Sequence, residues 1–201
     1  MKKWLVTYFE PFAGADSNSS HLVAQQLRTQ KDWAGRVEFL PNVPVSFERA
    51  WPFVMAHLQA SSESWAGVLA LGQAEGNLKI HLERVGLNWV DASLADNDGV
   101  RPGQGPIVAG APELLWSQIP WSDLPPTDPM LRRSYSAGTY VCNTLLFHSL
   151  MWAKQQGAVS GFVHIPALDV QTHQKFERVA KVPVAQAVES VARVLEFALS
   201  L

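Results

Sequence analysis

The chain has a single cysteine in 201 residues. One thiol makes no disulfide within the chain, which fits a reducing compartment and excludes a stapled secreted scaffold. It also excludes thiolate metal clusters. His21, His57, His81, His148 and His173 form no His-x-x-x-His pair, so no metal site is expected. Long apolar runs are missing as well. No stretch nears the roughly 20 residues of a spanning helix. Lys2-Lys3-Trp4-Leu5-Val6-Thr7 lacks the apolar length and cleavage pattern of a signal peptide. The expectation is a cytoplasmic protein with no membrane partner. There is no strong charge bias either. Charged residues make up 17% of the chain, the formal net charge is −2, and Lys and Arg are scattered. No basic stripe points to a nucleic acid. Gly72-Gln73-Ala74-Glu75-Gly76 follows an apolar run, but it has neither a P-loop lysine nor the three-glycine dinucleotide pattern. No cofactor is expected.

What the chain does have is apolar mass. Hydrophobic residues make up 47%, and there are eight tryptophans. The length suits one domain over residues 1–201 with a real core. Trp116 and Trp121 flank a proline-rich stretch. For both, part exposure and packing against the core or a loop stay open.

Strand-like and helix-like segments alternate. Residues 4–7 read as a buried strand broken by Glu10-Pro11-Phe12-Ala13-Gly14. Asn18 or Ser19 caps a helix through Leu22, Val23 and Leu27. Residues 36–45 read as extended despite Pro41 and Pro44, and residues 46–58 as a helix with Pro52 in its first turn or at a kink. Residues 67–72 form a buried strand, residues 78–90 two short strands, and residues 91–110 and 120–129 loops. A strand over 131–135, a helix over 142–155 and a strand over 159–165 follow. Val184, Val188, Val191, Leu195 and Ala198 share one face of a last helix, with Pro183 near its start. This alternation predicts an α/β domain with helices on both faces of a sheet, and sites at the carboxyl ends of strands.

Three residues stand out chemically. Cys142 follows Ser136-Ala137-Gly138-Thr139-Tyr140-Val141, a small-residue loop opening onto a helix. A helix N-terminus stabilises a thiolate, and its free N–H groups suit the oxyanion of acyl transfer. A buried structural thiol is the alternative. His164, at the end of an apolar strand, is placed to act as a general base, or it is a satisfied core histidine. Glu83 either orients an imidazole or forms a surface ion pair.

Taken in order, several segments resemble the pyroglutamyl peptidase I family of cysteine peptidases. They are Thr7-Tyr8-Phe9-Glu10-Pro11-Phe12, Leu71-Gly72-Gln73-Ala74, Leu82-Glu83-Arg84-Val85 with Asn88, residues 92–99, residues 136–143 and residues 161–166. The resemblance implies a single-domain three-layer α/β/α sandwich with a mixed, mostly parallel central sheet. It implies a Cys-His-Glu triad of Cys142, His164 and Glu83 that cleaves after an N-terminal pyroglutamyl residue without metal or cofactor. Phe9 and Phe12 then flank the lactam ring, Gln73 lies at its polar edge, and Tyr140 and Val141 line the same pocket. The partner expected is a peptide with N-terminal pyroglutamate. The family's tetramers leave room for a homo-oligomer.

The chain departs from the family pattern at several points. Tyr8 and Ala13 replace glycines, and Tyr8 is expected to reshape the pocket loop. Ser93 replaces an arginine, which predicts reduced activity if that arginine supports the site. Asn18-Ser19 replaces Asn-Pro. Pro125-Pro126-Thr127-Asp128-Pro129 replaces about one helix before Ser136, with consequences expected at the outer surface and at subunit contacts. These departures keep two alternatives open: a non-catalytic binder of pyroglutamyl-like ligands or of a protein, and an amidase of shifted specificity.

Overall fold

The strand that reads as buried at the N-terminus, β1 (Lys3–Phe9), lies inside a six-stranded sheet. The computed structural model describes residues 2–201. Its other strands are β2 (Val37–Val43), β3 (Trp65–Gln73), β4 (Ile80–Glu83), β7 (Leu131–Ser134) and β8 (Val159–Ile165). The order across the sheet is β2-β1-β3-β8-β4-β7. Strands β2, β1, β3 and β8 run parallel, β4 runs antiparallel to β8, and β7 is parallel to β4. The sheet is therefore mixed and mostly parallel. Its central strands are covered on both faces, which is why β3 and β8 are buried along nearly their whole length rather than at alternate residues. Pro41 sits in β2, an edge strand, where a missing N–H leaves no inner ladder broken.

Helices α1 (Ser19–Arg28) and α4 (Val184–Leu199) cover one face, and α2 (Ala50–Ala60) and α3 (Val141–Gln156) the other. The result is the three-layer α/β/α sandwich that the family resemblance implied. Asn18 is the cap of α1, and its side chain accepts from the Ser20 N–H. Pro52 falls in the first turn of α2, where a missing N–H costs no helical bond. Helix α4 buries one stripe, including Ala187, Val191, Val194 and Leu195. Helix α3 is buried on nearly every side, because a two-stranded ribbon of β5 (Val85–Leu87) and β6 (Leu114–Trp116) lies over it. The ribbon's approach needs Gly86, since a Cβ there would lie 3.2 Å from the Phe147 Cα. Strand β6 escaped the sequence reading. It has three residues, Leu114 and Trp116 are exposed, and Leu114-Leu115-Trp116 shows no alternation of polar and apolar residues.

The proline-rich loop is a packed plug rather than an outer ornament. Ile119, Trp121, Leu124 and Met130 join the α1–α4 core, and Arg133 ties the loop down through the carbonyls of Trp121 and Ser122 at 2.9 and 3.0 Å. The two flanking tryptophans therefore differ. Trp121 is 1% exposed, with its Nε1–H on the Glu83 carbonyl, so part exposure does not hold for it. Trp116 is 54% exposed, with the Arg84 guanidinium over its ring.

Candidate active site

Helix α3 begins at the carboxyl end of the sheet, after Gly138 turns the chain at φ 78°. The N-cap residue, Tyr140, is extended and gives no side-chain cap, so the first amides of α3 are left without a side-chain acceptor. Cys142 is the second residue of this helix. The next residue, Asn143, locks the helix start to β5. Its Oδ1 accepts from the Leu87 N–H at 2.9 Å, and its Nδ2 donates to the carbonyls of Leu87 and Trp89 at 2.9 and 3.1 Å. Gly72 opposite lets the thiol approach β3. A Cβ there would lie 3.2 Å from the Cys142 sulfur and 2.7 Å from the Phe162 ring.

Alternation along β8 sends Val163 and Ile165 to the α1–α4 core, and Phe162 to the core under α3. His164 shares the side of Phe162, and their ring centroids are 4.7 Å apart. Antiparallel β4 pairs His81 with His164 and Glu83 with Phe162, so Glu83 sits diagonally below the imidazole. His164 Nδ1–H donates to Glu83 Oε1 at 2.8 Å, with the two residues 6% and 1% exposed. Glu83 is thus a buried partner of histidine, not a surface ion pair. Its Oε2 has no hydrogen-bond partner. Burial alone would push the His164 pKa down. The Cys142 thiol and the Glu83 carboxylate outweigh it and raise the pKa to about 9. His81, the cross-strand neighbour, is held low by burial, and its Nε2 is also unpartnered.

Cys142 opens into a cavity of about 270 Å³. Phe9, Phe12, Gln73, Tyr140 and Val141 all line it, so every residue assigned to the pocket by resemblance meets there. Phe12 and Phe47 bracket the Tyr140 ring at 5.4 and 5.0 Å, and the Tyr140 hydroxyl donates to the Ala95 carbonyl at 2.9 Å. Burial first, then the Asp96 and Cys142 charges, pushes the Tyr140 pKa up to about 12. Gln73 belongs to the polar part of the wall, with Ser17, Asn18, Glu75 and Lys175. Its Nε2 donates to Glu75 at 3.0 Å, and Glu75 pairs with Lys175 at 2.8 Å. The Lys175 ammonium in turn lies 5.0 Å from the Phe12 ring centroid.

Sequence reasoning missed Lys175 and Leu94 in this lining. Leu94 had a signal, being an apolar residue stranded in a polar loop. Lys175 had none. The departures also sort themselves out. Tyr8 does not reshape the pocket loop: it points away, buried in the α1–α4 core, with its ring edge-on to His21 at 5.3 Å. Ala13 does line the cavity, at φ 52°, a left-handed conformation that glycine adopts more cheaply. Ser93 is exposed, and the carbonyl of its neighbour Ala92 is held by Arg101 Nε–H at 2.8 Å.

Comparison with known proteins shows the family and the fold. A family model described as pyroglutamyl peptidase matches residues 2–200. The pyrrolidone-carboxylate peptidase of Thermococcus litoralis is 31% identical, over 100% of this chain and 93% of that protein. That of Brevibacillus brevis is 34% identical, over 99% and 92%. Pyroglutamyl peptidase I from Bacillus amyloliquefaciens superposes with a TM-score of 0.87 at 25% identity, covering 100% of this chain and 96% of that one. A mutant pyrrolidone carboxyl peptidase from Pyrococcus furiosus gives 0.84 at 29% identity, covering 98% of each. The chain belongs to the pyroglutamyl peptidase family.

Proposed function

We propose that this enzyme hydrolyses the amide bond after an N-terminal pyroglutamyl residue through a thioester on Cys142. The observation that carries the reading is one arrangement: the buried 2.8 Å His164–Glu83 bond lies behind a cavity whose wall holds the Cys142 thiol, Phe9, Phe12 and Gln73. A pyroglutamyl ring is flat, neutral and small. Aromatic faces suit its two sides, and a carboxamide suits its polar edge.

Glu83 fixes the His164 tautomer by accepting from Nδ1, which leaves Nε2 for the thiol. His164 takes the Cys142 proton, and the sulfur attacks the pyroglutamyl carbonyl carbon. The free amides at the start of α3 stabilise the oxyanion. As the tetrahedral centre collapses, the C–N bond breaks and His164 gives its proton to the leaving amine. Water then attacks the thioester, His164 accepts a proton from it, and pyroglutamate leaves with the thiol restored.

The test compares pyroglutamyl, prolyl and linear glutaminyl amides of one fluorogenic amine under reducing conditions. Rapid release from the pyroglutamyl amide alone is expected. Equal rates on all three would sink the assignment in favour of a general amidase, and no release from any would favour a binding role.

A further inference from the structure

Strand β4 carries two buried side-chain atoms that have no hydrogen-bond partner among the described residues, His81 Nε2 and Glu83 Oε2. The two residues are two apart, so both side chains leave the same face of the strand. Pairing with β8 sets His81 directly opposite His164, and Glu83 opposite Phe162. One patch of the sheet therefore holds two imidazoles and one carboxylate.

Glu83 uses only half of its carboxylate on His164. Oε1 accepts from His164 Nδ1–H at 2.8 Å, and Oε2 is left over. Two neighbouring donors are committed elsewhere. Trp121 Nε1–H goes to the Glu83 main-chain carbonyl at 3.1 Å, and the hydroxyl of Ser134, across from Glu83 on β7, goes to the Ser136 carbonyl at 3.2 Å. A buried carboxylate oxygen without a donor is costly, and a carboxylate held at one oxygen is free to turn. His81 is the donor at hand. It is only partly buried, so water can serve its Nδ1 while the ring proton stays on Nε2. Burial lowers its pKa. The Glu83 charge pulls the other way, and His164 and Arg132, which faces it from β7, lower it further. At neutral pH the imidazole is therefore uncharged, a donor that sets no second cation beside His164.

We infer that His81 is a positioning residue: its Nε2–H serves the free oxygen of Glu83 through one bridging water, and so fixes the carboxylate that orients His164. The inference rests on the Cys142, His164 and Glu83 reading of the proposed function, and not on its substrate. A neutral donor at Oε2 stops the carboxylate from turning and leaves its charge to His164. An imidazolium in the same place would compete for that charge.

Three substitutions separate the donor from the bulk of the ring. His81→Gln carries an amide N–H to about the reach of the imidazole Nε2. His81→Asn has the same amide, one methylene short. His81→Phe keeps a ring and loses the donor. If His81 only packs, His81→Phe is the mildest of the three. If it positions Glu83, His81→Gln is.

Two readouts are taken on variants shown to be folded by thermal unfolding. One is kcat and KM on a pyroglutamyl amide. The other is the rate at which iodoacetamide alkylates Cys142, the chain's only thiol, which reports thiolate formation without any substrate. His81→Phe and His81→Asn are expected to lower kcat and the alkylation rate by about ten-fold or more, the scale of one hydrogen bond to a charged group, with KM within about two-fold. His81→Gln is expected to stay within about three-fold of wild type on both, since it keeps the donor. In a Glu83→Gln background, His81→Phe should change alkylation by less than about two-fold, because its effect runs through the carboxylate. The same alkylation pattern without pyroglutamyl turnover by wild type would support the positioning role and refute the proposed reaction. Wild-type rates in His81→Phe would overturn the inference, as would equal losses in His81→Gln and His81→Asn, a comparison that stands even if His81→Phe does not fold. Wild-type alkylation no faster than that of His164→Ala would also overturn it, since no activated thiol would then depend on Glu83.

Discussion

The two faces of the sheet use the same strands for different ends. On the α1–α4 face, β1 and β8 present Val6, Tyr8, Val163 and Ile165 to a stripe of small and aliphatic residues on α4. On the α3 face, the same strands present Phe9, Phe162 and His164. There the buried surface includes an ion-pair-forming imidazole, a carboxylate with an unpartnered oxygen, and a helix start left uncapped by side chains. Each of those features costs stability in a low-dielectric interior. The difference separates the region that holds the fold from the region that accepts that cost to do chemistry.

The comparison breaks most sharply at Glu83. Glu83→Gln should lower kcat by about 10³- to 10⁴-fold, because the imidazole loses both its orienting acceptor and its counter-charge. The melting temperature should move far less than activity. Steady-state kinetics beside thermal unfolding checks this, and a parallel loss of both would make Glu83 a structural residue.

On the opposite face, Leu195→Ala should do the reverse. Leu195 is fully buried in the α4 stripe. Its truncation should cost about 2–5 kcal/mol of stability, with kcat/KM unchanged wherever the variant stays folded. Denaturant unfolding measures the first and assays well below the transition measure the second. A large drop in kcat at a permissive temperature would show that the two faces are not separable.

The pH profile sharpens the contrast. With the folded His164 pKa near 9, the alkaline limb of kcat/KM should fall around that value, as the imidazolium that protonates the leaving amine is lost. The pKa is raised above the 6.5 of an unperturbed histidine. Its contribution to stability is therefore full below about 6.5 and lost as pH rises through about 9. In Glu83→Gln the limb should move to lower pH. A limb that stays put would mean that Glu83 does not hold the proton on His164.

A smaller effect is expected where the plug meets the site. Trp121 donates its Nε1–H to the Glu83 carbonyl at 3.1 Å. Trp121→Phe should cost about 1 kcal/mol from that bond, plus the lost ring contacts, and leave kcat within a few-fold. A kcat loss matching that of Glu83→Gln would show that the plug, and not β4 pairing, places the carboxylate.

The two faces also differed in legibility. Helix α4 announced itself through the spacing of Val184, Val188, Val191 and Leu195, because a helix that buries one stripe writes its period into the sequence. Helix α3 is buried on nearly all sides and has no such period, so only the small-residue loop before Cys142 and the apolar residues Leu145, Leu146 and Leu150 after it marked its start. Cys142, His164 and Glu83 were each ambiguous alone. Antiparallel β4, which brings Glu83 under His164, is a tertiary fact that no local pattern encodes. The resemblance of ordered motifs is what suggested the three as a triad, and the geometry then removed the surface-pair reading of Glu83. Gln171 and Lys175 were unreadable, because what brings each to the site is contact with residues far away in the sequence: Gln73 for the first, Glu75 and Phe12 for the second. Tyr8 misled, since one residue along a strand decides which face a side chain meets, and β1 shifts register between Thr7 and Phe9.

The most direct test of the central claim is amine release from a pyroglutamyl amide by the wild-type chain and by Cys142→Ala, both shown to be folded. The account predicts turnover by the wild type and a loss of at least about 10⁴-fold in the variant, the scale seen when a nucleophile is removed from a triad. Comparable turnover by Cys142→Ala would contradict it.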